Sequence, residues 1–145
     1  MVAVRVNPEP ERYLPLFVAA GDEVGLGYPV RPDFARYRAL IDAGDYLFIG
    51  AEDGGVPVGY VGVLFVRDLF NADVVHAVVD SFFVGPDYRK SAVAGRLLAR
   101  MMPTVEAVAY DLVFQCQVDS PLAGMLAKRG FKMVDSVFSK VIGGL

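Results

Sequence analysis

Residues 80–100 read DSFFVGPDYRKSAVAGRLLAR. This stretch closes a Val- and Phe-rich run, Val74 to Val84, that is too apolar on both faces for a surface strand. It is expected in the centre of a sheet with helices on each side. Pro86-Asp87 makes a turn. A helix is predicted from Lys90 to about Met102, with Val93, Leu97, Leu98 and Met101 on one face, and Pro103 is expected to end it. Ser91, Ala92, Ala94 and Gly95 put small side chains at its start, where backbone N–H groups are unpaired and the dipole is positive. Such a terminus suits phosphate, and Arg89 and Lys90 would add cationic charge at its mouth. The same residues also suit an ordinary strand–turn–helix junction with its basic side chains in solvent. Residue types alone leave both readings open.

Outward from that stretch, period and punctuation divide the chain. Ala3 to Val6 alternates as a first strand. Pro8 and Pro10 open a helix with Leu14, Phe17 and Val18 on one face, which Gly21, Gly25 and Gly27 are expected to break. A second helix is predicted from about Asp33, with Phe34, Tyr37 and Ile41 on one stripe and Gly44 at its end. Tyr46 to Ala51 and Val56 to Val66 form a hairpin around Asp53-Gly54-Gly55. After the central strand and its helix, Ala109 to Val118 reads as another strand, with Cys116 a small core thiol. Asp119-Ser120-Pro121 starts a helix that Gly130 ends. Phe131 to Ile142 reads as a last strand on a weak alternation. The segment from Gly21 to Pro32 is either a loop over an acceptor site or a plain connection.

Composition limits what such a chain can do. Its 145 residues suit one domain, 1–145, and 54% of them are hydrophobic, enough for a core. No apolar run reaches the roughly 18 residues of a membrane span. No secretory signal pattern opens the sequence, so the expected location is cytoplasmic. One cysteine and one histidine argue against a disulfide framework and a multi-histidine metal site, so no metal is expected. The net charge is −3 with no basic run, which disfavours nucleic acid as a partner.

With that element order, β-α-α-β-β-β-α-β-α-β, the chain resembles the GCN5-related N-acetyltransferases, the GNAT superfamily. Their signature, Gln/Arg-x-x-Gly-x-Gly/Ala, follows a strand ending in Val-x-Pro. Here Val84-Gly85-Pro86 leads into Arg89-Lys90-Ser91-Ala92-Val93-Ala94, with Arg89 and Ala94 at the first and last positions and Ala92 replacing the middle glycine. The Gly-Phe pair that follows the family's fourth helix is Gly130-Phe131. The resemblance implies an α/β (α+β) fold, a mixed sheet of about six to seven strands flanked by about four helices. It implies acetyl-CoA as cosubstrate, its pyrophosphate on N–H groups of about Ser91 to Gly95. Phe83, Val84, Arg89 and Lys90 join the cofactor contacts, with Asp119 and Ser120 at the family's pantetheine position. The form Asp-x-x-φ-Val-x-Pro is similar to small phage-encoded members, for which the location would be the host cytoplasm.

The resemblance implies transfer of an acetyl group to a primary amine, of a small molecule or a protein, by direct attack. The family's base position falls on Val78, and its thiolate-protonating tyrosine falls on Leu126; neither side chain can serve. His76 and Asp80 flank Val78 at strand period two, on one face with Phe82 and Val84. Asp80 is therefore the candidate base and His76 the second candidate. The alternatives are a buried structural carboxylate and a half-exposed histidine. The missing side chains also fit a rival class, an inactive binding or structural protein such as a phage virion component. A domain that binds no CoA species is the third reading. A homodimer is compatible with all three.

Overall fold

The computed structural model describes residues 1–116 and 120–144. They form two compact units, Met1–Phe114 and Gln115–Leu145. The first holds a five-stranded sheet in the order β1 (Val2–Val6), β2 (Tyr46–Asp53), β3 (Val56–Arg67), β4 (Val75–Val84), β5 (Asp111–Phe114). Neighbours are antiparallel except β4 and β5, which run parallel. The sheet is mixed, as expected, but has fewer strands among the described residues than the six or seven anticipated.

Two helices lie before the hairpin. α1 (Leu14–Val24) follows a short 3-10 turn at Pro10–Tyr13 and ends on Gly25 in the left-handed conformation, φ 70°. Gly21 does not break it. It is buried inside α1, where an added Cβ would stand 2.6 Å from Val30. α2 (Phe34–Asp42) starts at Asp33, whose carboxylate accepts the Arg36 N–H at 3.0 Å. The odd residues of β2 and β3, with Ala77, Val79 and Val84 of β4, form the apolar face that carries α3 (Val93–Val108) and its buried Val93, Leu97, Leu98, Met101 and Val105. The other face carries an aromatic cluster of Tyr13, Phe17, Tyr46, Phe48, Tyr60 and Phe83, against which Phe34 and Tyr37 of α2 pack.

α3 departs from expectation at both ends. It starts at Val93 rather than Lys90, because residues 86–88 take a 3-10 turn and the chain turns again before the helix. It also runs through Pro103. Proline inside a helix costs about 3 kcal/mol. Met101 and Val105, on either side of it, are 1% and 3% exposed. Burial at about 1.5–3 kcal/mol for each such side chain holds both turns on the sheet.

The last two predicted strands shrink or disappear. β5 covers four residues, and Cys116, expected in the core, is exposed. Val118 lies outside the described residues. The second unit has one helix, α4 (Pro121–Lys128), capped by Ser120, whose Oγ accepts the Ala123 N–H at 3.3 Å. Phe131 to Ile142 forms no strand, and Met133, Val134, Phe138 and Ile142 are exposed. Polar residues fall on both parities there, Lys132, Ser136 and Lys140 on one and Asp135 and Ser139 on the other, so neither face could bury cleanly. Among the described residues, no helix is long and apolar enough to cross a membrane.

Candidate active site

The ladder between β3 and β4 is broken at one point. Gly62 pairs with Ser81 and Val63 pairs with Val79, which leaves Asp80 as an extra residue on β4. Such a bulge bends a strand and re-aims its side chains. Residues before Asp80 keep the expected alternation, with His76 and Val78 on the aromatic face. After it the parity shifts by one. Phe83, opposite Tyr60, is on that face, while Phe82 and Val84 turn to the α3 side. Strict period two, which put Phe82 and Val84 with Asp80, therefore fails at the bulge.

The parallel pairing of β4 with β5 ends at Val79↔Phe114, one residue before the bulge. Beyond it, from Asp80 to Val84, β4 has no ladder partner on that side among the described residues. Bulge and end of pairing coincide, so the strand presents main-chain donors and acceptors next to a re-aimed carboxylate.

Asp80 is exposed to solvent on one side and crowded by protein on the others. Tyr46 donates its hydroxyl hydrogen to Asp80 Oδ1 at 2.8 Å, reaching from β2 across β3. It can do so because Gly62 stands between them. An added Cβ would collide with the Tyr46 hydroxyl and lie 2.7 Å from Asp80 Oδ1. Loss of water raises the Asp80 carboxyl above its usual pKa, and the bond from Tyr46 with backbone N–H groups at the bulge pulls it partly back. Tyr46 itself is pushed far up, first by burial and then by the charge of Asp80, so its phenol stays protonated. Tyr37 meets Tyr46 edge-on at 5.5 Å between ring centroids. It too is raised by burial and by Asp80. Tyr60, bonded to Ser81 Oγ at 2.8 Å, is pushed up to about 12 by burial.

The second candidate base is elsewhere. His76 precedes Asp80 by four residues, about 13 Å of extended strand. Its Nδ1 meets Asp111 Oδ1 at 2.7 Å and its Nε2 meets Asp68 Oδ1 at 2.9 Å. These bonds to Asp68 and then Asp111 raise its pKa above the usual value. His76 thus ties the β3–β4 connection to β5, and it shares no contact with Asp80.

The expected cofactor residues from Phe83 to Gly95 lie between the end of β4 and the start of α3. Phe83 and Val84 are buried. Arg89 does not stand free at the helix mouth. Its Nε donates to the Val84 carbonyl at 2.8 Å, its guanidinium pairs with Glu23 of α1, and it lies 5.3 Å over the Phe83 ring. Lys90 is exposed and has no ion-pair partner among the described residues. Ser91 Oγ donates to the Tyr88 carbonyl at 2.5 Å and accepts the Val93 N–H at 3.3 Å. Ala92 is the N-cap and offers no side-chain cap. The N–H groups of Ala94 and Gly95 belong to the first turn, which has no intrahelical acceptors. Small side chains, uncapped donors and a free lysine fit a diphosphate, and the unpaired β4 edge fits an amide-bearing arm. Ser120 caps its own helix, and Asp119 lies outside the described residues. Among the described residues no group of three His, Cys, Asp or Glu side chains could hold a metal ion.

Residues 13–131 match the sequence pattern of the acetyltransferase (GNAT) family. The chain belongs to that family. Membership places it among the acetyltransferases, enzymes of acetyl transfer that use acetyl-CoA. No curated protein matches the sequence at a significant level. Among solved structures, this acetyltransferase is similar to an aminoglycoside acetyltransferase from an uncultured soil metagenomic sample, with TM-score 0.77, 18% identity and 99% of each chain covered. It is equally similar to glucosamine-6-phosphate N-acetyltransferase from Arabidopsis thaliana, with TM-score 0.77, 14% identity and 99% of each chain covered. A predicted acetyltransferase from Clostridium acetobutylicum, solved with acetyl-CoA, aligns with TM-score 0.71 at 14% identity over 97% of this chain and 96% of its own. At these identities the likeness is one of fold.

Tyr46, Tyr37 and Gly62 escaped the sequence reading as site residues. A signal for Gly62 was present, since an isolated glycine inside a strand marks a bulge or a close approach. The connection between α1 and α2, left open between loop and acceptor cover, walls a cavity of about 300 Å³ with Gly21, Asp22, Leu26, Tyr28 and Val30.

Proposed function

We propose that the protein is an N-acetyltransferase that acetylates a primary amine, with Asp80 as the proton acceptor. Acetyl-CoA supplies an acyl group already activated as a thioester, so the chain needs no nucleophile of its own. Its residues have three tasks. The first turn of α3, Ala92 to Gly95, with Lys90 beside it, offers donors and positive charge to phosphate. The β4 edge near Val84 offers main-chain N–H groups to an acyl oxygen. Asp80 takes a proton from the ammonium form of the acceptor, directly or through water, with a carboxyl whose raised pKa suits that work. The observation that carries the reading is the position of Asp80. It is the extra residue of the bulge, partly open to solvent, at the point where β4 and β5 part.

The acceptor is expected to be cationic. Asp80 is a partly open carboxylate with the hydroxyl of Tyr46 on one oxygen, and a carboxylate so placed attracts an ammonium group. The names of the similar structures include an aminoglycoside and a glucosamine phosphate, both amine-bearing. Leu126 offers no proton to the departing thiolate, so water or another group takes that role.

The test is thiol release from acetyl-CoA against a panel of polyamines, amino sugars and peptide amines, with Asp80→Asn beside the parent. The nearly isosteric change should lower the rate by about 100-fold or more, the usual size of a general-base contribution. The affinity for acetyl-CoA should hold. An unchanged rate per folded molecule would refute Asp80 as the base.

A further inference from the structure

The bond from Tyr46 to Asp80 crosses an entire strand. Tyr46 is on β2, Asp80 is on β4, and β3 lies between them. The hydroxyl reaches Oδ1 at 2.8 Å only because β3 offers Gly62 at the crossing. Three strands therefore contribute to one contact, a tyrosine, a gap and a bulge. We infer that Tyr46 is a positioning residue of the reaction: its hydroxyl fixes Oδ1 of Asp80 and leaves Oδ2 to the amine. The inference rests on the reading of Asp80 as proton acceptor.

Tyr46 is suited to this in three respects. It is 5% exposed, and Tyr37 braces its ring edge-on, so the hydroxyl has one place to point. Its phenol stays protonated across the working range, so it is always a donor to Asp80 and never a competing base. Among the described residues the titratable groups facing Asp80 are Tyr46 from β2, Tyr60 from β3 and Tyr37 from α2, and none of these brings a positive charge. Among the described residues no cation stands beside it, so hydrogen bonds hold the carboxylate ionised against desolvation, and among those residues the one from a side chain is that of Tyr46.

The experiment uses Tyr46→Phe, which removes one oxygen and keeps the ring. Two readouts are taken on the full chain. The first is the Asp80 titration followed by carbon-13 NMR of its carboxyl, with no acetyl-CoA present. Its midpoint should rise by roughly one to two pH units, the shift that matches a hydrogen bond to a charged group. The second is the pH–rate profile, whose acid limb should move up with it. The KM for acetyl-CoA should hold, and on the acid limb kcat should fall about tenfold or more at a given pH as the carboxyl becomes protonated. Gly62→Ala should act the same way by forcing the pair apart. In an Asp80→Asn background, Tyr46→Phe should cost no further rate. An unmoved midpoint and acid limb, with Asp80→Asn still inactive, would overturn the role of Tyr46 and leave Asp80 as base. A moved midpoint in a protein whose rate ignores Asp80→Asn would overturn the base assignment and the positioning role with it.

Discussion

Leu97 is fully buried on α3 at 0% exposed, and Gly59 of β3 lies beneath it. A Cβ added at Gly59 would stand 3.3 Å from Leu97 Cδ1, 3.4 Å from Val93 Cγ1 and 3.1 Å from the Phe83 carbonyl oxygen. Helix and sheet therefore meet at a point where one residue is large because the other has no side chain. Leu97→Ala removes the large partner. Such changes cost about 2–5 kcal/mol, depending on how far the site collapses. Collapse is limited here, because β2, β3 and β4 are ladder-bonded and α3 is held by Val93 and Met101. About 3–4 kcal/mol is the expected loss. For a chain of this size it lowers Tm by roughly 10 °C. Gly59→Ala alone should cost about 1–2 kcal/mol, as an overpacked contact partly offset by a stiffer unfolded chain. In the Leu97→Ala background the new methyl fills part of the space left behind, and its cost should fall by about 1 kcal/mol. Urea denaturation followed by far-ultraviolet circular dichroism measures all four corners of the cycle. Costs that add to within about 0.3–0.5 kcal/mol would refute the packing argument, as would a Leu97→Ala loss below about 1 kcal/mol.

Two further expectations follow from the same residues. Ala94→Leu should weaken acetyl-CoA binding measured by calorimetry while leaving the unfolding midpoint near that of the parent, since Ala94 is only half-buried at the start of α3; unchanged affinity would put the phosphates elsewhere. His76 gains its stability as the protonated partner of Asp68 and Asp111, with its pKa raised and that of Asp68 lowered. The contribution of His76 is therefore complete below its unfolded pKa of about 6.5 and is lost as pH rises through the higher folded value. That of Asp68 is lost as pH falls through its lowered value. His76→Gln should flatten the alkaline fall in a series of unfolding curves from pH 5 to 9, and an unchanged profile would count against the clasp.

The elements with a strong period or a named cap were legible from the residues. The hairpin around Asp53-Gly54-Gly55, the Asp33 cap of α2 and the buried face of α3 all follow from local rules that packing reinforces. Errors arose where a tertiary contact overrode a local signal. Pro103 should stop a helix, but burial of Met101 and Val105 carries α3 past it. Gly21 reads as a breaker, yet it is a site of close packing against Val30. Phe131 to Ile142 has the residue types of a strand without a consistent face. In the site, the residue with charge, Asp80, was legible as an oddity in an apolar run. Its environment was not, because a one-residue bulge leaves no mark on the strand that carries it, and the partner hydroxyl comes from 34 residues away in sequence.

Asp80 is supernumerary as well as acidic. The ladder pairs Val79 with Val63 and Ser81 with Gly62, so β3 and β4 would align without it, residue for residue, along their whole length. Substitution changes what the carboxylate can do, whereas deletion would leave a more regular sheet with nothing for the Tyr46 hydroxyl to meet. Deletion would thus regularise the ladder, orphan a buried hydroxyl and remove the carboxylate that the proposed reaction needs. If Asp80 is the proton acceptor proposed above, demand for the reaction is a reason for the chain to keep a strand one residue too long.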